Sequence, residues 1–88
     1  MGDILSIYKL YPEEVEDIER IKQKLSEGLE DPIKVAEVKE EPIAFGLVIL
    51  KVAIVFPEKI EGLLDKAESM LKNIPGVNEI EIEASTLV

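Results

Sequence analysis

The acidic run Glu13, Glu14, Glu16 and Asp17 and the alternating Glu79, Glu81 and Glu83 are the densest groups of reactive side chains in this 88-residue sequence. Both supply carboxylates and nothing else. The chain has no histidine and no cysteine, which removes imidazole bases, thiol nucleophiles, disulfides and the usual zinc and iron ligands together. Its only arginine, Arg20, falls inside a helical pattern, and the five glycines, at 2, 28, 46, 62 and 76, are too scattered to cradle a phosphate. No spacing of Ser, Lys and carboxylate offers a nucleophile with its base. The cluster at 13–17 reads either as a helix N-terminus, where the dipole favours negative charge, or as a divalent-ion site. The series at 79–83 reads either as a solvated strand edge or as a steering surface for a basic partner. Neither catalysis nor a cofactor is expected. What remains is recognition, and its best candidate is Phe45, a bulky aromatic beside Gly46 at the start of a long apolar run. It reads either as a core aromatic capping the sheet or as an anchor pressed into another protein.

A net charge of −9 and a pI near 4.4 make nucleic acid an unfavourable partner, because phosphate binding draws its affinity from clustered Lys and Arg. The length suits one small domain, residues 1–88, and the 47% apolar and 33% charged composition is that of a globular protein whose interior is filled by Ile, Val and Leu. The apolar run at 43–56 falls short of the ~20 residues a membrane-spanning helix needs and carries Gly46 and Lys51. With no signal-like N-terminus, a cytoplasmic location and no membrane contact are the expectations.

The elements that must carry these residues follow from periodicity. Residues 4–10 are mostly apolar and read as a strand stopped by Pro12. Val15, Ile18, Ile21, Leu25 and Leu29 recur three or four apart, which predicts an amphipathic helix fraying near Gly28. Residues 33–38 alternate loosely with charges, as an edge strand does. Residues 41–56, bounded by Pro42 and Pro57, are apolar on both alternating faces, as expected of a strand in the middle of a sheet. A second helix runs from residue 57 or 58 to about 73 on the stripe Ile60, Leu63, Leu64, Ala67, Met70, Leu71 and Ile74, and Pro75-Gly76 ends it. The tail is a strand with Ile80, Ile82 and Ala84 on one side and Glu79, Glu81 and Glu83 on the other.

The order strand, helix, strand, strand, helix, strand predicts an α+β ferredoxin-like sandwich, a four-stranded antiparallel sheet with two helices on one face. In the third strand, Gly46, Val48, Leu50, Val52, Ile54 and Phe56 are assigned to the helix side, and Phe45, Leu47, Ile49, Lys51, Ala53 and Val55 to the open side. An open face with that many apolar groups is either shaded by its neighbours or used as an interface.

From Met1-Gly2-Asp3 through Tyr11-Pro12, the Pro42-Ile43-Ala44-Phe45-Gly46-Leu47 segment and the turn Ile74-Pro75-Gly76-Val77, the chain resembles archaeal elongation factor 1-beta. The middle segment is fairly specific, and the rest is pattern. The resemblance implies a guanine nucleotide exchange factor without covalent chemistry, a monomer when free, that binds elongation factor 1-alpha in its GDP-bound and nucleotide-free states and disturbs the nucleotide and magnesium site. It implies partner contacts through Pro42, Ala44, Phe45, Gly46 and Leu47, and through the tail at Thr86 and Leu87. The family commonly carries a basic residue close to the C-terminus; the tail here, Ala84-Ser85-Thr86-Leu87-Val88, has none. On the fold alone, a second reading is a regulatory or ligand-sensing module that dimerises through its open sheet face.

Overall fold

A computed structural model describes residues 2–29 and 31–88. The order is β1 (Asp3–Pro12), α1 (Asp17–Ser26), β2 (Lys34–Pro42), a 3-10 turn (Ala44–Gly46), β3 (Val48–Pro57), α2 (Leu63–Lys72) and β4 (Val77–Leu87). The strands form one antiparallel sheet in the order β2-β3-β1-β4. This is the ferredoxin-like α+β arrangement, with β3 and β1 central as their two-sided apolar character requires.

One core lies between the sheet and both helices. Tyr8 and Leu10 of β1 and Leu50, Val52, Ile54 and Phe56 of β3 meet Ile18, Ile21 and Leu25 of α1 and Leu63, Ala67 and Leu71 of α2. The side of β3 assigned to the helices is therefore the buried one. Tyr8 reaches through this layer, and its buried hydroxyl donates to Glu68 Oε2 of α2 at 2.8 Å. Burial, then the bond to Glu68 and its charge, push the phenol's pKa far above its ordinary value.

Three boundaries differ from the sequence expectations. Helix α1 begins at Asp17, so Val15 lies outside it and is exposed rather than part of its buried stripe. Helix α2 begins at Leu63, because Gly62 adopts φ 81°, a left-handed conformation that interrupts any helix from residue 57. Ile60 thus lies outside the helix and is exposed, and Leu64, within it, also stays out of the buried stripe of Leu63, Ala67 and Leu71. Strand β2 runs on to Pro42: Lys39, Glu40 and Glu41 have weak strand preference, yet pairing with β3 carries them. Pro42 therefore closes β2 and does not bound β3, and at the end of an edge strand its missing N–H costs no ladder bond.

The fourth correction is in β4. Ile7 pairs with Ala84 but Tyr8 pairs with Ile82, which leaves Glu83 as the extra residue of a bulge. Ile82 follows Tyr8 to the helix side and Ala84 follows Ile7 to the open side, so the two do not share a face. A second irregularity at Asn78 and one at Ala36 bend both edge strands, a common protection against edge-to-edge pairing.

Candidate partner-binding site

The β2–β3 connection is a five-residue hairpin loop. Pro42 pairs with Val48, the Ile43 N–H donates to the Leu47 carbonyl at 2.8 Å, and the Leu47 N–H to the Ala44 carbonyl at 3.3 Å. Inside this frame Phe45 has φ 63° and ψ 29° and Gly46 has φ 75°. Left-handed geometry at a non-glycine residue costs on the order of 1–2 kcal/mol, and outliers of this kind concentrate at functional sites. Phe45 is 99% exposed. The core-capping reading of Phe45 is overturned, and the residue sits on a loop tip rather than in a strand.

Exposed apolar neighbours surround that tip. Leu47 is 52% exposed, Ile43 40% and, from the β1–α1 turn, Val15 66%. These last three, with Tyr11, Pro12, Val48 and Ile49, border a shallow cleft of about 90 Å³ rimmed by Glu13 and Glu14. The sequence analysis singled out Phe45 and Leu47 in this region but not Val15 or Ile43, which the structure also leaves exposed beside them. Val15 lies three residues before Ile18, so its spacing alone looks like a buried helical position.

Thr86 and Leu87 lie elsewhere. They pair with Leu5 and Ile4 at the far end of the sheet, where the Val88 N–H donates to the Asp3 carbonyl at 2.8 Å. The molecule is 42 Å long, and β1, a ten-residue strand spanning roughly 30 Å, separates the two ends. The expected contact residues thus form two groups: Pro42, Ala44, Phe45, Gly46 and Leu47 at one end, Thr86 and Leu87 at the other. Leu87 is 62% exposed and borders a cleft with Ile4, Glu58, Ser85 and Thr86. Lys59, exposed in the β3–α2 turn beside Gly2, Asp3 and Glu58, places a cation at the tail end that the tail sequence lacks.

Between the ends the open face is shaded and charged. Lys39, Lys51 and Lys9 pair in register across three strands, an arrangement of like charges that needs carboxylates between them. Glu83 Oε1 lies 3.0 Å from Lys51 Nζ and 3.8 Å from Lys9 Nζ, Glu41 lies 3.1 Å from Lys51, and Glu37 lies 3.3 Å from Lys39. The bulge directs Glu83 inward, so it is a partner for these lysines and not a free steering charge. Lys51 is held above its ordinary pKa by Glu83 and then Glu41, and Glu83 below its own chiefly by Lys51. Within β3 the open-side series is shaded, Ile49 buried and Ala53 and Val55 half-buried, while Leu47 and Phe45 beyond its start are exposed. Among the described residues no three acidic side chains converge as a metal site, and the cluster at 13–17 forms the turn into α1 and its first residue, Asp17.

An open four-stranded sheet with two helices on one face serves many unrelated functions, so the comparison with known families decides. Residues 5–88 match the EF-1 guanine nucleotide exchange domain. The chain belongs to that family. Elongation factor 1-beta of Methanoculleus marisnigri is 42% identical over the whole of both chains. That of Ignicoccus hospitalis is 41% identical, covering 94% of this chain and 89% of the relative, and that of Aeropyrum pernix 43% identical, covering 94% and 93%. Family and relatives together give the chain the role of a guanine nucleotide exchange factor in translation elongation. The solution structure of the C-terminal domain of the MgtC protein from Mycobacterium tuberculosis superposes with a TM-score of 0.52 over all of this chain and 88% of that one at 15% identity, a likeness of fold alone. No helix among the described residues is long and apolar enough to cross a membrane.

Proposed function

We propose that this chain accelerates GDP release from elongation factor 1-alpha by non-covalent contact at both ends of its sheet. The observation that carries this reading is Phe45, an aromatic side chain 99% exposed on a hairpin tip whose backbone is held at positive φ. Large apolar groups kept in water at a conformational cost are what interface anchors look like in the unbound state. The hairpin supplies the grip. The tail end, with Thr86, Leu87 and the nearby Lys59, then acts on the nucleotide and magnesium site of the partner.

Exchange is differential binding. Each tenfold weakening of GDP corresponds to about 1.4 kcal/mol, and by reciprocity GDP weakens the exchange factor by the same amount. The factor must therefore favour the nucleotide-free partner over the loaded one. The free factor is a monomer on this reading, because ion pairs cross its open face and Ile49 is buried there. The test is stopped-flow release of fluorescent GDP from elongation factor 1-alpha with increasing amounts of this protein. Release faster than the spontaneous rate, saturating with concentration, is expected. An unchanged rate at saturating concentration refutes the proposal.

A further inference from the structure

The geometry points to a second anchor on the hairpin end: the cleft between the β1–α1 turn and the hairpin receives one apolar side chain of the partner protein, inside a ring of basic residues on that partner. This rests on the exchange-factor reading for the partner's identity and adds the chemistry of its contact surface. Val15 is the observation that asks for an explanation. Its spacing to Ile18 would bury it in a continuous helix, yet the turn at residues 13–16 holds it 66% exposed. It stands across a cleft from Ile43 and Leu47, which belong to a different element and are themselves exposed. Three apolar groups from two elements, converging at the end that also displays Phe45, form one surface rather than scattered exposed residues.

Size and charge commit the occupant. The cleft holds about 90 Å³, room for roughly three waters, whereas small-molecule pockets run to about 300–1,000 Å³. It fits a single aliphatic side chain and is far too small for a nucleotide. Its charged rim is acidic throughout: Glu13 and Glu14 line it, both are exposed, and among the described residues neither is in an ion pair. A second copy of this chain, with net charge −9 and the same carboxylates, would be repelled there. A partner surface carrying Lys or Arg around an apolar knob complements it, and rim charges of this kind act on association rate and salt dependence.

The experiment is calorimetric titration of nucleotide-free elongation factor 1-alpha with wild type, Val15→Asp, Val15→Thr and the double variant Glu13→Gln/Glu14→Gln, repeated across salt concentrations. Val15→Asp is expected to weaken binding by at least about tenfold and Val15→Thr by less. The double variant is expected to bind more weakly at low salt and to show a flatter dependence on salt. All should melt like wild type, because these side chains are exposed. If both Val15 variants and the double variant bind within twofold of wild type while Phe45→Ala weakens binding, the second anchor is refuted and the exchange-factor reading stands. If wild type itself does not bind, both fall. Light scattering that shows a dimer dispersed by Val15→Asp would also overturn the proposal, by assigning the cleft to self-association.

Discussion

Truncation of Phe45 to alanine isolates the grip of the hairpin from the stability of the fold. The side chain is 99% exposed and is no part of the core. Alanine keeps the same positive-φ cost at position 45, so the melting temperature should move by no more than the few tenths of a kcal/mol typical of surface substitutions. In a complex, full burial of a phenylalanine contributes about 1.5–3 kcal/mol, and alanine retains only its methyl. The loss is then about 2 kcal/mol, roughly 30-fold in affinity. Because the hairpin lies roughly 30 Å from the tail end, the substitution should shift the concentration of factor needed for half-maximal GDP release and leave the plateau rate in place. Stopped-flow release measured over a wide range of factor concentration reads both quantities. An unchanged half-saturation point refutes the anchor. A lowered plateau at unchanged half-saturation refutes the division of labour, since the hairpin would then act at the nucleotide itself.

Three further outcomes follow from the described contacts. Gly76→Ala should cost about 2 kcal/mol, roughly 8–16 °C in melting temperature, because the residue has φ 98° and an added Cβ would lie 2.8 Å from Asp17 Cβ; a variant melting within a few degrees of wild type contradicts this, as read by thermal denaturation. The Glu83–Lys51 pair should stabilise the protein in a defined pH window. Glu83's depressed pKa gives stability that is present above the ordinary 4.5 and lost as pH falls through its folded value, while Lys51's raised pKa gives stability present below 10.5 and lost as pH rises through its own; melting curves of wild type and Glu83→Gln should therefore converge in acid and in strong alkali, and a gap independent of pH rules the pair out. Tyr8's raised pKa gives stability present below 10.0 and lost as pH climbs above it, so one phenol should resist ionisation until the protein unfolds, and this resistant step in the phenolate absorbance should vanish in Tyr8→Phe.

The local pattern revealed much of this architecture. The stripe Ile18, Ile21, Leu25 placed α1, and the alternation of Leu50, Val52, Ile54 and Phe56 gave the buried side of β3, because both depend only on which face of a regular element is apolar. Boundaries were less legible: Gly62 delays α2, and the ladder to β3 extends β2 through Lys39, Glu40 and Glu41 against their preference. At the candidate site, Phe45 was legible as an aromatic next to a glycine where a loop tip could reach a partner, but not its left-handed backbone, which only the closed hairpin from Pro42 to Val48 imposes.

The sequence by itself determined the number and order of the elements, the helix-covered face, the absence of histidine and cysteine side chains, and a resemblance to the family whose domain residues 5–88 match. Only the tertiary structure decided that Glu83 bulges from β4 to pair with Lys51 and Lys9, that Val15 stands in water beside Ile43 and Leu47, and that the hairpin and the tail occupy opposite ends. Periodicity is a property of neighbours along the chain. A bulge, an exposed valine and the distance between two loops are set by what lies across the sheet, and residues as far apart in sequence as Asp3 and Val88, joined by a 2.8 Å backbone hydrogen bond, have to meet before those are fixed.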